Sequence, residues 1–110
     1  MEAENKKTEE ITMEQEWKII EHLLTPEQLN GKCRMFARVS ILPGHELAQH
    51  SHHGETETYH IISGEGIYDD DGKKIPAKVG DTFFCADGHS HGITCVGDEP
   101  VVFIALIING

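Results

Sequence analysis

The chain has 110 residues, enough for one domain with a core of its own and too few for two. Nineteen acidic residues against nine basic ones give a formal charge of -10, which argues against nucleic acid or an anionic membrane as a partner, since both need a basic footprint. Apolar residues make up 38% of the chain. No apolar run approaches the roughly 20 residues of a membrane span.

The first ten residues, MEAENKKTEE, are polar and read as a disordered, solvated terminus. They lack the apolar core of a signal peptide, so the expected location is cytoplasmic. Residues 11–32 are expected to form an N-terminal helix and its connector. In ITMEQEWKIIEHLL, Thr12 and Gln15 fit a capping box, and Trp17, Ile20, Leu23 and Leu24 fall at helical spacing. A strand built on WKII is the competing reading. Thr25-Pro26 and Asn30-Gly31 punctuate the connector.

From Cys33 the texture changes to short alternating runs separated by glycine turns. CRMFARVSIL stops at Pro43-Gly44 and TYHIIS stops at Gly64. GIYD runs into Asp71-Gly72, a tight-hairpin signal. TFFCA, GITCV and VVFIALII complete the series. Several short strands at near-regular spacing predict an all-β, antiparallel sandwich or barrel over residues 33–108. The last strand is apolar on both faces and needs cover, from the N-terminal helix or from a second subunit. Cys33, Cys85 and Cys95 are odd in number with no C-x-x-C spacing, and are expected to be reduced thiols.

Residues 50–60 read HSHHGETETYH, four imidazoles and two carboxylates around one glycine. In a strand, His50 and His52 share a face. His53 and Gly54 would turn the chain. Glu57, Tyr59 and Ile61 would share the inner face of the returning strand. Downstream, DGHSHGI offers His91 in phase with Ile93 and Cys95. Three imidazoles and one carboxylate suit a first-row transition metal. Four protein ligands leave positions open for a substrate, unlike the closed, cysteine-rich structural zinc sites.

The frame around these residues resembles the cupin superfamily. The first cupin motif is matched by Gly44, His50, His52, Glu57 and Gly64 in GHELAQHSHHGETETYHIISG. The second is matched by Gly80, Gly88 and His91 in GDTFFCADGHSHGITC, with Ala86 in place of the usual proline and Cys95 in place of the asparagine. The resemblance implies a double-stranded β-helix, or jelly roll, of six to eight strands. It implies one divalent metal per subunit, Mn, Fe, Ni or Zn, held inside the barrel by His50, His52, Glu57 and His91. Glu55 is the rival to Glu57, and the six-residue gap to Gly64 favours Glu57.

The remaining polar residues carry weaker expectations. His45 and His53 read as loop or turn residues, and His60, opposite in phase to Glu57, as an outer-face residue. His89 and Tyr59 are the candidate catalytic groups, together with a metal-bound hydroxide. Cys95 either packs or lines the pocket. Two functions suit these residues, a metal-dependent enzyme acting on a small polar molecule or a non-catalytic module that binds or senses one, and a metal-free structural barrel is the third reading. A homodimer is expected in either case, as small cupins commonly form one.

Overall fold

The computed structural model describes residues 11–110, so the terminal disorder expected of residues 1–10 lies outside the described residues. The described residues form ten strands and one helical turn: β1 (Ile11–Gln15), β2 (Lys18–His22), α1 (Pro26–Leu29), β3 (Cys33–Ile41), β4 (Glu46–Ser51), β5 (Glu55–Ser63), β6 (Glu65–Asp70), β7 (Lys73–Ala77), β8 (Thr82–Cys85), β9 (Ser90–Val96) and β10 (Val101–Asn109). They build a six-stranded sheet in the order β1-β2-β3-β10-β5-β8 and a four-stranded sheet in the order β4-β9-β6-β7. Every pairing is antiparallel. The result is a jelly-roll sandwich whose two sheets stay separate and are not hydrogen-bonded into a closed barrel.

Alternation sets the core. On β10, Val101, Phe103, Ala105 and Ile107 are buried, and on β3 so are Ala37, Val39 and Ile41. Tyr59 and Ile61 of β5 join them from the large sheet, and Tyr68, Ile93 and Cys95 from the small one. Each inner position alternates with an outer one, as expected for strands whose successive side chains point to opposite faces.

The expected N-terminal helix is not formed. Residues 11–22 are a hairpin with a two-residue turn at Glu16-Trp17, and β2 pairs with β3 in the register Ile20↔Val39 and Lys18↔Ile41. Tertiary pairing overrides the helical spacing here. The β-branched Ile19 and Ile20 suit a strand, and only Ile20 needs to face the core, where it is buried. Leu23 falls beyond β2, yet its N–H still donates to the Phe36 carbonyl at 2.9 Å. A capping box exists, but further along the chain. Thr25 Oγ1 accepts from the Gln28 N–H at 3.2 Å, and Gln28 Oε1 accepts from the Thr25 N–H at 2.9 Å. The hairpin raises the strand count to ten, above the six to eight expected.

One irregularity positions the site. Strand β4 pairs with β9 as Leu47↔Ile93 and His50↔His91, so three steps on β4 oppose two on β9. This is a β-bulge at Ala48-Gln49. It restores His50 to the inner phase shared with Leu47. The bulge lies against Gly92, where a Cβ would sit 2.6 Å from the Leu47 carbonyl oxygen and 2.9 Å from the Gln49 nitrogen. Only glycine leaves room for it.

Candidate metal centre

Four side chains converge on the inner face. His50 comes from the end of β4, His52 from the residue just past it, Glu57 from β5 and His91 from β9. Between them lies the turn at His53-Gly54, where Gly54 has a φ of 78°. One ligand atom from each of the four residues lies within 4.8 Å of the others. Glu57 Oε1 is 2.8 Å from His52 Nε2 and 2.9 Å from His91 Nε2. His50 Nε2 stands 3.8 Å from the same oxygen, an electrostatic approach and not a hydrogen bond. His52, Glu57 and His91 are buried, and His50 is half-buried at the edge of the cluster.

The far side of each ring explains why the near sides converge. His50 Nδ1 donates to the Ala48 carbonyl at 2.9 Å, inside the bulge. His52 Nδ1 donates to Glu55 Oε2 at 2.9 Å. Both acceptors lack a proton to give, so each Nδ1 carries the hydrogen and each Nε2 is left with a lone pair. His91 Nδ1 lies 2.9 Å from the Tyr68 hydroxyl, which can accept from it, and that tautomer frees its Nε2 as well. His52 Nε2 and His91 Nε2 are then 3.1 Å apart. Two lone pairs at that distance repel unless a proton or a cation lies between them. Convergent Nε2 atoms with their outer nitrogens already bonded are the arrangement that metal-binding histidines use. The donor set fits a divalent transition metal.

Electrostatics agree. Burial works hardest against ionising Glu57, but when a proton rather than a cation occupies the cluster, the imidazoles around it, His50 and His91 first and then His52, outweigh burial and hold the carboxyl at about 2. The Glu57 carboxylate in turn raises the His50 pKa above its ordinary value, against desolvation. Desolvation pushes the Tyr59 phenol well above its usual range, and the Tyr68 phenol likewise, so both hydroxyls keep their protons.

The expected residues divide into two groups. His50, His52, Glu57 and His91 are brought together. Tyr59 lies fully inside, its ring stacked on His91 with centroids 4.6 Å apart. His89 does not reach the cluster. It is exposed in the turn before β9 and pairs with Asp71 Oδ2 at 2.5 Å, because β9 begins only at Ser90 and the phase relation to His91 fails in the turn. His53 is exposed, His60 bonds Thr82 Oγ1 at 2.8 Å on the outer face, and Cys95 packs in the core. His45 is exposed and stacks on Trp17 with an interplanar angle of 3°.

Sequence reasoning missed the supports. Glu55, weighed only as a rival ligand, holds His52 and is itself gripped by Arg34 through two bonds of 2.9 and 2.7 Å. Tyr68 backs His91. The phase of Glu55, two residues before Glu57 on the same strand, was the available clue to a neighbouring role. Arg34 and Tyr68 had no signal in the sequence.

A cavity of about 630 Å³ opens beside the cluster, lined by His50, His52 and Glu57 and by the inner faces of β2, β3, β4 and β10.

Comparison with known proteins names the class. A family profile described as a cupin domain matches residues 37–107. The chain belongs to the cupin family. It is 44% identical over 87 residues to an oxalate-binding protein of Thermotoga maritima, covering 79% of this chain and 72% of that protein. Among solved structures it is similar to a predicted oxalate decarboxylase from Thermotoga maritima, with a TM-score of 0.85 at 37% identity, covering 94% of this chain and 97% of that one. An uncharacterized double-stranded β-helix protein from Klebsiella pneumoniae superposes with a TM-score of 0.78 at 25% identity, covering 99% and 92% of the two chains.

Proposed function

We propose that this protein binds a small carboxylate through a divalent transition metal held by His50, His52, Glu57 and His91. The observation that carries the reading is the set of outward Nδ1 bonds that aims the imidazole Nε2 atoms at one carboxylate oxygen. A metal there supplies a Lewis acid with positions open to the ligand. His50, the most exposed of the four, borders the cavity, so the ligand enters past it. The oxalate-binding relative supports an acid as the ligand class. The test is calorimetric titration of oxalate into protein loaded with Mn2+ and into metal-free protein. Saturable binding to the loaded form alone supports the reading, and equal binding to both forms contradicts it.

An enzyme acting on the bound acid is the second reading, and Tyr59 is the observation that favours it. Its protonated phenol lines the cavity beside Glu57 and His91, where it is placed to donate a proton to a bound acid. Turnover of oxalate or a related acid that falls in Tyr59→Phe without loss of metal would establish this reading over simple binding.

A homodimer is part of the same proposal. The outer face of the six-stranded sheet carries Phe84, Ile108 and Ile62, exposed at 61%, 42% and 37%. Half-buried Ile104 and Leu106 of β10 continue the same apolar stripe. The N-terminal hairpin extends the sheet at its edge and leaves that face open. A second copy covers it in this reading. Leu106→Glu is expected to shift the particle seen in light scattering from dimer to monomer.

A further inference from the structure

The cavity beside the metal centre is far larger and more apolar than oxalate needs. At about 630 Å³ it falls in the range of sites for drug-sized ligands. Six heavy atoms, even at the roughly 30 Å³ that a liquid water occupies, fill less than a third of it. The chemistry of the lining is divided. His50, His52 and Glu57 supply the metal-binding part. Ile20, Met35, Val39, Leu47, Phe103 and Ile107 supply an aliphatic and aromatic wall drawn from both sheets. Lys18, Arg34 and Glu46 also line the cavity, with Arg34 paired to Glu55.

Water against such a wall is unfavourable, and a ligand that reaches across the cavity displaces it. Oxalate, polar at both ends, gains nothing from that wall. An acid with two adjacent oxygen donors at one end and a hydrocarbon body at the other matches both parts.

We infer that the cavity takes a 2-oxo or 2-hydroxy acid bearing a branched aliphatic or aromatic tail, with its two head-group oxygens at the metal and its tail against the wall formed by Ile20, Val39, Leu47 and Phe103. This rests on the metal-centred binding proposed above and specifies the ligand class. Four protein ligands would leave a six-coordinate ion two positions, which suits a bidentate head group. Ala105 also lines the cavity, and its small side chain leaves volume there that a longer one would fill.

The experiment is a calorimetric series on Mn2+-loaded protein with oxalate, pyruvate, 4-methyl-2-oxopentanoate and phenylpyruvate, and with 3-phenylpropanoate as a tail without the chelating head. Each buried methylene is expected to tighten binding roughly threefold to fourfold. The gain from pyruvate to 4-methyl-2-oxopentanoate is therefore expected to exceed about tenfold, with 3-phenylpropanoate much weaker than phenylpyruvate. Ala105→Leu, checked for metal content, is expected to bring the ratio between the two oxo acids close to one. Affinities that are flat across the series, or highest for oxalate, would overturn the inference while leaving metal-centred binding standing. Protein that takes up no Mn2+ would remove both, and metal analysis before the titration separates the two failures.

Discussion

Glu55 stands two residues from the proposed ligand Glu57 and does a different job. Its carboxylate accepts a hydrogen bond from His52 Nδ1–H and is locked by Arg34, so it fixes both the tautomer and the angle of that ring. Partners of this kind are worth about 10–100-fold in metal affinity. Glu55→Ala is therefore expected to weaken metal binding by that order in a competition titration against a chelator, while His53→Ala, altering an exposed turn residue, leaves it unchanged. Glu57 makes a second prediction, in pH. Its folded pKa of about 2 lies below the ordinary 4.5, so the folded state gains from its ionisation. That contribution is complete above about 4.5 and lost as pH falls toward 2. The melting temperature of the metal-free protein is expected to exceed that of Glu57→Gln by a margin that closes across this window. His50 acts with the opposite sign. Its raised pKa stabilises the fold below its ordinary 6.5, and this is lost as pH rises through the higher folded value.

At the scale of elements, the bulge in β4 and the glycine beneath it determine whether His50 faces inward. Gly92→Ala sets a Cβ against the Leu47 carbonyl and the Gln49 nitrogen, both backbone atoms with little freedom to move. The expected cost is about 1–3 kcal/mol in denaturant unfolding, together with a loss of metal affinity as the bulge shifts and His50 with it. This element also shows where reading the sequence succeeds and stops. The pairing of His50 with His52, the turn at His53-Gly54, and the inward phase of Glu57, Tyr59 and His91 are all legible, because strand periodicity and glycine turns are local signals. The bulge is not, because an extra residue in β4 is visible only against its partner β9. The hairpin of residues 11–22 escapes for the same kind of reason. Its spacing satisfies a helix, and the decision lies with the open edge of β3, which the segment itself does not encode. His89 is misplaced when alternation is carried through a turn, where it has no meaning.

For the whole molecule, two sheets of unequal size hold the cluster of His50, His52, Glu57 and His91 beside a partly apolar cavity. The cavity exists because β2, contributed by the N-terminal hairpin, widens the large sheet and brings Lys18, Ile20 and His22 onto its inner face. Trp17, at the tip of that hairpin, stacks on His45 at the entrance to β4 and ties the two sheets together. Trp17→Ala is expected to lower the melting temperature and to weaken ligand binding more than metal binding, since the tip lines the cavity and lies outside the set of four. Both the ligand class and its mode of binding depend on those four residues holding a metal. The most direct measurement is elemental analysis, per chain, of protein purified without chelator or nickel resin and then offered Mn2+, beside His52→Ala treated in the same way. About one equivalent in the unaltered protein, and a large loss in a His52→Ala variant that still folds, is the expected result. No metal as purified and none after loading, or equal metal in both proteins, would contradict it.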